Sequence, residues 1–363
     1  MKRLVSLALA LVLALSLGAC AGSPASAPES PASSSAPEAP APSAPPAESP
    51  AQPETASSAP SLEKTGKTLR VAALKGPTAM GMVKLMDDAA KGETANDYEF
   101  TLAGSPDEIV GSIVQGEFDI AAVPTNLAAT LYNKTQGKVR LMALNTLGVL
   151  YVVEAGDSVQ TVADLAGKTV YATGKGSTPE FALNYVLEQN GLMGQVAVEY
   201  KTEHGELAAL LSQGQAELAL LPQPFVATAL AQNDKLRVAL DLTREWDKAA
   251  QGASQLTMGC VIAQRSFLGE NAAAAAAFLA EYEASVDYVT DPANLDAAAA
   301  LVVKEGILPK EPVAKAALPN CAITFISGEE MKKTASGFLK VLYDADPKSV
   351  GGTLPDEDLY YLG

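Results

Sequence analysis

Two short segments of this sequence combine residue types that can hold a small polar or anionic ligand. They read KGPT at 75–78 and KGST at 175–178, and they lie 100 positions apart. A lysine can neutralise a sulfonate, carboxylate or phosphate, and a glycine lets a ligand approach the backbone closely. A threonine here can cap the following helix or bond the ligand directly. Solvated lysines and turn glycines also occur without a ligand, so both interpretations stay open.

A longer repeat accompanies these segments. Residues 108–124 (EIVGSIVQGEFDIAAVP) match residues 206–222 (ELAALLSQGQAELALLP) at an offset of 98 without a gap. Each copy begins with apolar residues at helical spacing and reaches a Gln-Gly pair, where the glycine can adopt a left-handed cap. Each copy then ends in a short apolar run closed by a proline. The repeat therefore predicts a helix, a turn and a buried strand in each half.

Apolar, strand-like runs also precede the two Lys-Gly segments. The chain therefore contains two similar units in which strands alternate with helices, a pattern that predicts mainly parallel sheets with right-handed crossovers. Roughly 300 residues are available after the N-terminal region, which is more than one hydrophobic core usually serves. We predict a two-lobed α/β protein.

The repeat also suggests how the chain divides between the lobes. A first lobe is predicted at 67–153 and a second lobe at 154–254. Residues 255–363 are expected to return to the first lobe and to end in helices that cover it.

Two apolar, β-prone runs are predicted to carry the chain between the lobes. The first is a single strand at 140–153, and the second is the run at 255–263. We expect them to form a hinge of paired strands near 147–151 and 255–260. After the second run, the alanine-rich stretch at 271–288 predicts a helix.

Ligands of open parallel sheets bind beyond the carboxyl ends of the strands, so the loops after the four repeated strands should face one cleft. Amides and hydroxyls in these loops can orient a small polar ligand, and an aromatic ring can supply an apolar wall. For the aromatic ring and the methionines, an ordinary core position is the alternative. The predicted ligand-binding residues are Lys75, Gly76, Thr78, Met80, Thr125, Asn126, Lys175, Gly176, Ser177, Thr178, Gln223, Phe225 and Met258.

Composition excludes several classes of partner and reaction. The chain has 42 acidic and 26 basic residues and a net charge of −16, which disfavours nucleic acid and anionic membrane surfaces. It contains no nucleophile elbow, no phosphate-binding Gly-Lys-Ser/Thr loop and no zinc-type Cys/His spacing. Its single histidine, His204, is expected in a solvated loop or at a helix start. We therefore predict no enzyme activity, no cofactor and no metal.

The N-terminus has the layout of a secretory signal. Two basic residues follow Met1, an apolar run occupies 4–17, and the junction LGAC ends at Cys20. This matches the signature of bacterial lipoproteins, which predicts removal of residues 1–19 and a lipid on Cys20; an ordinary signal with a chance cysteine is the alternative. The Ala-, Pro- and Ser-rich stretch that extends to residue 66 predicts a disordered tether.

The two other cysteines would then lie in an oxidising compartment. A disulfide between Cys260 and Cys321 is one expectation, and two separately buried thiols are the alternative.

With these segments in order, the chain from about 69 to 361 resembles the nitrate/sulfonate/taurine-type solute-binding proteins, which have the type II periplasmic binding fold. The resemblance rests on four segments: DLAGKTV at 164–170, QGEFDIA at 115–121, LPQPF at 221–225 and GGTLPD at 351–356.

The resemblance implies a monomeric, hinge-closing receptor on the extracytoplasmic face of the cell membrane, where its lipid would anchor it. Such a receptor gives its small-molecule ligand to an ABC permease driven by ATPase subunits. The alternative from another class is an extracytoplasmic sensor that signals to a membrane partner. The candidate loops contain no cluster of arginines and no stacked tryptophans, which leaves the ligand open.

Overall fold

The computed structural model describes residues 63–363. The predicted signal, the lipidated Cys20 and the tether up to residue 62 lie outside the described residues. The last predicted tether residues already contact the fold, because the Thr65 amide donates to the Ala95 carbonyl at 2.9 Å. Within residues 63–363, no helix is both long and apolar enough to cross a membrane.

The first part of the chain alternates strands and helices, as the repeat predicts. Its elements are β1 (Thr68–Leu74), α1 (Pro77–Met80), α2 (Val83–Lys91), β2 (Asp97–Ala103), α3 (Asp107–Gln115), β3 (Ile120–Pro124), α4 (Thr125–Lys134) and β4 (Val139–Leu147).

The middle part repeats this order. Its elements are β5 (Leu150–Ala155), β6 (Thr169–Ala172), α5 (Thr178–Gln189), β7 (Ala197–Tyr200), α6 (His204–Ser212), β8 (Leu218–Pro222), α7 (Phe225–Leu230), β9 (Leu236–Asp241) and α8 (Leu242–Ala250).

The last part supplies two further strands and several helices. Its elements are β10 (Thr257–Gln264), α9 (Arg265–Glu270), α10 (Ala272–Thr290), α11 (Leu295–Lys304), α12 (Glu311–Ala317), β11 (Ile323–Ser327) and α13 (Gly328–Ala345). The helix predicted at 271–288 is therefore confirmed as α10.

Two glycines end the repeated helices as predicted. Gly116 follows α3 with a φ of 78°, and Gly214 follows α6 with a φ of 71°. This left-handed conformation costs a glycine little and lets the chain turn directly into the buried strands β3 and β8.

The strands form two sheets, which define two lobes. The first lobe has the strand order β11-β4-β10-β3-β1-β2, and the second has β7-β6-β8-β5-β9. In the first sheet only β10 and β11 run against the other strands, and in the second only β5 does. The prediction of two mainly parallel sheets flanked by helices is confirmed.

The first crossing between the lobes differs from the prediction. The expected single strand at 140–153 is two strands, β4 in the first sheet and β5 in the second, separated by Gly148 and Val149. A Cβ on Gly148 would lie 2.0 Å from Thr243 Oγ1 in the first turn of α8. This close approach requires a glycine, and a straight strand could not turn from one sheet into the other here.

The return crossing lies beside the first. Thr257, at the start of β10, pairs with Leu147, at the end of β4. The C-terminal helix α13 extends this contact, because Phe338 lies 5.5 Å, centroid to centroid, from Trp246 of α8. Trp246 and Phe338 are both fully buried, so aromatic packing joins the lobes next to the crossings.

The predicted disulfide is wrong for this structure. Cys260 and Cys321 are both buried free thiols. Cys260 belongs to the apolar cluster that contains Val123 and Leu144, whereas Cys321 belongs to another cluster and lies 4.0 Å, sulfur to sulfur, from Met80. Each thiol behaves as a small apolar side chain, and burial raises the pKa of both.

Candidate functional site

A cavity of about 160 Å³ lies between the two lobes, and we call it the inner cavity. Six loops line it, each following the carboxyl end of a parallel strand: those after β1, β2 and β3 in the first lobe, and those after β6, β7 and β8 in the second. Parallel strands present their carboxyl ends at one edge of a sheet, which explains why the loops converge. The sequence predicted four of these loops and missed the two after β2 and β7.

Eight of the predicted ligand-binding residues line the inner cavity. They come from both Lys-Gly segments, from the loop after β8 and from β10, and they are Lys75, Gly76, Thr78, Ser177, Thr178, Gln223, Phe225 and Met258.

A second cavity, the outer cavity, adjoins the inner one and has a volume of about 540 Å³. Ser105, Pro106, Ser177 and Glu203 are among the residues that line both. Three predicted residues, Asn126, Lys175 and Gly176, line the outer cavity alone.

Two predicted residues lie away from both cavities. Met80 is fully buried in the first lobe beside Cys321, and Thr125 is fully buried at the start of α4. Thr125 stands between the lining residues Pro124 and Asn126, and Met80 lies two positions after Thr78, but both side chains are buried in the core. The expectation that they contact ligand is therefore not supported by their positions.

The two threonines of the Lys-Gly segments have different partners. The Thr78 hydroxyl donates to the Leu74 carbonyl at 2.9 Å, within its own loop. The Thr178 hydroxyl donates to Asn126 Oδ1 at 3.1 Å, across the cleft from the second lobe to the first. Neither side chain caps its helix. Of the two threonines, Thr178 therefore forms a hydrogen bond between the lobes.

A second hydrogen bond holds the Asn126 side chain in position to accept from Thr178. Its Nδ2 donates to the Ser349 carbonyl at 3.1 Å, and its side chain is almost fully buried. With both ends of the amide bonded, its oxygen is directed at Thr178.

His204 stands at a helix start, one of its two expected positions, and it also lines the inner cavity. It begins α6, is half-buried, and its ring lies 5.0 Å, centroid to centroid, from the ring of Phe225. Its Nδ1 bonds the Thr173 hydroxyl. Desolvation lowers the pKa of His204 to about 4, so the ring is neutral at pH 7.

The position of His204 could have been found in the sequence. It lies just beyond the strand-like run that became β7, in the copy of the repeat that corresponds to the loop after β2. Loops that follow parallel strands share one edge, so these two loops belong with the other four.

The inner cavity is mainly apolar and carries little charge. Five prolines line it together with Phe225, Met258 and Val149. Its only charged lining residues among those described are Lys75 and Glu203, and both are exposed at its rim. The described residues contain no cluster of His, Cys, Asp or Glu that could hold a metal ion.

Sequence comparison agrees with this architecture. Residues 84–254 match the family model described as ABC transporter, phosphonate, periplasmic substrate-binding protein. The matched segment is therefore similar to the periplasmic substrate-binding proteins of ABC transporters. The matched residues include most of the first chain segment of the first lobe and all of the second lobe. They therefore contain five of the six loops that line the inner cavity, the exception being the loop after β1. No curated protein matches the chain.

Several solved structures are similar over most of the chain. An ABC transporter structure from Parabacteroides distasonis is 24% identical with a TM-score of 0.67, covering 81% of this chain and 99% of that one. The periplasmic aliphatic sulphonate binding protein of Escherichia coli is 20% identical with a TM-score of 0.64, covering 79% and 91%. The periplasmic nitrate-binding protein of Synechocystis is 13% identical with a TM-score of 0.55, covering 79% and 85%. The fold is that of the type II periplasmic binding proteins.

Proposed function

We propose that this protein is the substrate-binding component of an ABC importer, which captures a small organic ligand in the cleft and releases it unchanged to a permease. The observation that carries the proposal is the convergence of six strand-end loops, three from each lobe, on one cavity. A ligand that contacts both lobes stabilises the closed form by the contacts that only this form offers.

The described contacts between the lobes fit a closing receptor. Two adjacent crossings and the Trp246–Phe338 packing hold the lobes together. Two side-chain hydrogen bonds also join the lobes: Thr178 bonds Asn126 across the cleft, and the Tyr151 hydroxyl donates to the Asn320 carbonyl close to the first crossing. A hinge needs permanent packing at the crossings and few bonds at the opening. This distribution supports closure about the crossings.

The matched family acts outside the cytoplasm. In our proposal Cys20 carries the lipid that holds the protein at the extracytoplasmic membrane face, and the stretch after it tethers the two lobes. The partners are a permease and its ATPase subunits, and the receptor acts as a monomer.

The proposal is tested by a thermal-shift screen of the purified protein with sulfonates, phosphonates, nitrate, short carboxylates and pyrimidines. A ligand at about 100 times its dissociation constant raises the free energy of unfolding by about 2.7 kcal/mol. We expect at least one class to produce such a shift.

A blocking variant shows whether a shift comes from the cleft. Ser177→Trp places an indole in the inner cavity and should abolish the shift, whereas Ser266→Trp, on the exposed surface of α9, should keep it. A ligand that stabilises both variants equally binds elsewhere and contradicts the proposal.

A further inference from the structure

The inner cavity has the size of one ring. Its volume is about 160 Å³, close to the roughly 150 Å³ of an engineered apolar cavity that binds benzene. The prolines that line it present rigid apolar faces, and the Phe225 ring forms part of the same wall. A flat ring can therefore enter this space and bury most of its apolar surface.

The inner cavity is poorly suited to an anionic group. The described residues place no arginine in its lining, and its one lysine, Lys75, is exposed. The imidazole of His204 is neutral at pH 7 and offers no counter-charge. Burying an anion requires compensating charge or several free donors, and the hydroxyls of Thr78, Ser177 and Thr178 already donate to protein oxygens. An uncharged group fits better here.

The outer cavity has the opposite character. Lys134, Lys175 and Lys201 line it, against Asp107 and Glu203. Within residues 63–363, none of the three lysines has a carboxylate within ion-pairing distance. The excess of lysine is local, because the whole chain has a net charge of −16. A basic opening on an acidic protein attracts anions to that place.

Two of these lysines are held in position by aromatic rings. Lys175 Nζ lies 5.8 Å from the centroid of the Tyr200 ring, and Lys201 Nζ lies 5.5 Å from that of Tyr171. Such contacts restrict the ammonium groups while leaving their hydrogen-bond donors available. The lysines are thus positioned before a ligand arrives.

We propose that the ligand is an aromatic anion whose ring occupies the inner cavity and whose sulfonate, carboxylate or phosphate group lies among the lysines of the outer cavity. This inference rests on the proposed function and names its substrate class. The shared lining of the two cavities lets one molecule occupy both at once.

Three probes, measured by calorimetry, test the ring site and the anion site separately. Benzenesulfonate has the ring and the charge, methanesulfonate has the charge without the ring, and benzenesulfonamide has the ring without the charge at neutral pH. Benzenesulfonate should bind most tightly. Methanesulfonate should bind at least about tenfold more weakly, because it buries no ring.

Lysine variants test whether the anionic group of the ligand lies in the outer cavity. Lys175→Met and Lys201→Met keep the apolar stem and should each weaken benzenesulfonate binding about two- to fivefold, the effect of an exposed ion pair. Neither should change the binding of benzenesulfonamide. Lys138→Met is the matched control, since Lys138 is exposed and lines a different cavity.

Several results overturn the inference. Methanesulfonate binding as tightly as benzenesulfonate rejects the ring site. Unchanged benzenesulfonate affinity in both lysine variants rejects the anion site. If none of the probes binds while another ligand from the screen shifts the melting temperature and the Ser177→Trp variant abolishes that shift, the substrate class is wrong and the proposed function stands. If no compound shifts the melting temperature, the substrate class and the proposed function are both wrong.

Discussion

The Thr178 hydroxyl donates a hydrogen bond to Asn126 Oδ1 at 3.1 Å, and this bond joins the first turn of α5 in the second lobe to the first turn of α4 in the first lobe. Both side chains are almost fully buried. When the lobes separate, water can replace the bond on each side. The bond therefore contributes to the closed form alone.

Replacing Thr178 by valine should weaken the closed form. The variant leaves the buried Asn126 oxygen without its donor, which costs about 1 to 3 kcal/mol in the closed form and little in the open one. Calorimetry should show ligand binding weakened by a corresponding factor. Thr130→Val is the control, because its hydroxyl bonds the Asn126 carbonyl within the same helix. Equal affinities for the parent and Thr178→Val would contradict a role in closure.

The first crossing depends on the small size of Gly148. A methyl group there would overlap the Thr243 side chain, so Gly148→Ala should lower the free energy of unfolding by about 1 to 3 kcal/mol. Urea unfolding measures this. Adding Thr243→Ala should restore much of the loss, because the two side chains are in direct contact.

A matched glycine provides the control for this prediction. Gly111 lies inside α3, and a Cβ there would meet open space. Gly111→Ala should therefore be neutral or stabilising by up to about 1 kcal/mol. Similar losses in Gly148→Ala and Gly111→Ala would show that the crossing is not specially crowded.

The neutral state of His204 predicts a pH dependence of stability. The pKa of His204 is lowered to about 4 in the folded protein, below the value of about 6.5 in an unfolded chain. The unfolded chain therefore binds the proton first as the pH falls, and the free energy of unfolding decreases between these two values. From pH 7 to about pH 5 the loss is at most about 2 kcal/mol, an upper limit because the ring is half-buried.

His204→Asn should remove this part of the pH dependence, which urea unfolding at both pH values would show. The pKa of Asp87, lowered to about 2 by hydrogen bonds from Lys304 and Lys91, adds its own loss only below about pH 4. Identical slopes for the parent and His204→Asn between pH 7 and pH 5 would contradict a desolvated imidazole in the cleft.

The sequence alone predicted the elements that depend on local pattern. The repeat at 108–124 and 206–222 became α3, β3, α6 and β8, with the glycine caps at the expected places. Apolar spacing and glycine conformation are local properties, so they can be interpreted without knowing the rest of the fold.

Contacts between distant segments could not be predicted in this way. Thr178 and Asn126 are 52 positions apart, and their bond depends on how the two sheets face each other. The burial of Met80 and the position of His204 likewise depend on how loops and helices pack together. Local sequence pattern does not reveal this packing. The separation of Cys260 and Cys321 into different apolar clusters has the same cause.

Membrane attachment should depend on Cys20, which lies outside the described residues. The apolar run that precedes it is too short to span a bilayer, which needs about 20 residues, so a lipid would have to hold the mature protein. Cys20→Ser should move the protein from the membrane fraction to the soluble fraction after export. Retention of the variant in the membrane fraction would contradict lipidation at this residue.

We expect ligand to close the two lobes about the crossings near Gly148 and Leu256. The strands β2 and β7 lie at the sheet edges farthest from the strands that enter these crossings, so they should move most. Glu99 and Glu199 are exposed on these strands and suit cysteine substitution, while the buried Cys260 and Cys321 should not react with a spin label.

The direct measurement is the distance between spin labels at Glu99→Cys and Glu199→Cys, obtained by pulsed electron paramagnetic resonance in the Cys20→Ser background. We expect a longer or broader distance distribution in protein stripped of ligand, and a single shorter distance after saturation with the ligand found in the screen. An unchanged distribution on saturation would contradict the account of a hinge-closing receptor.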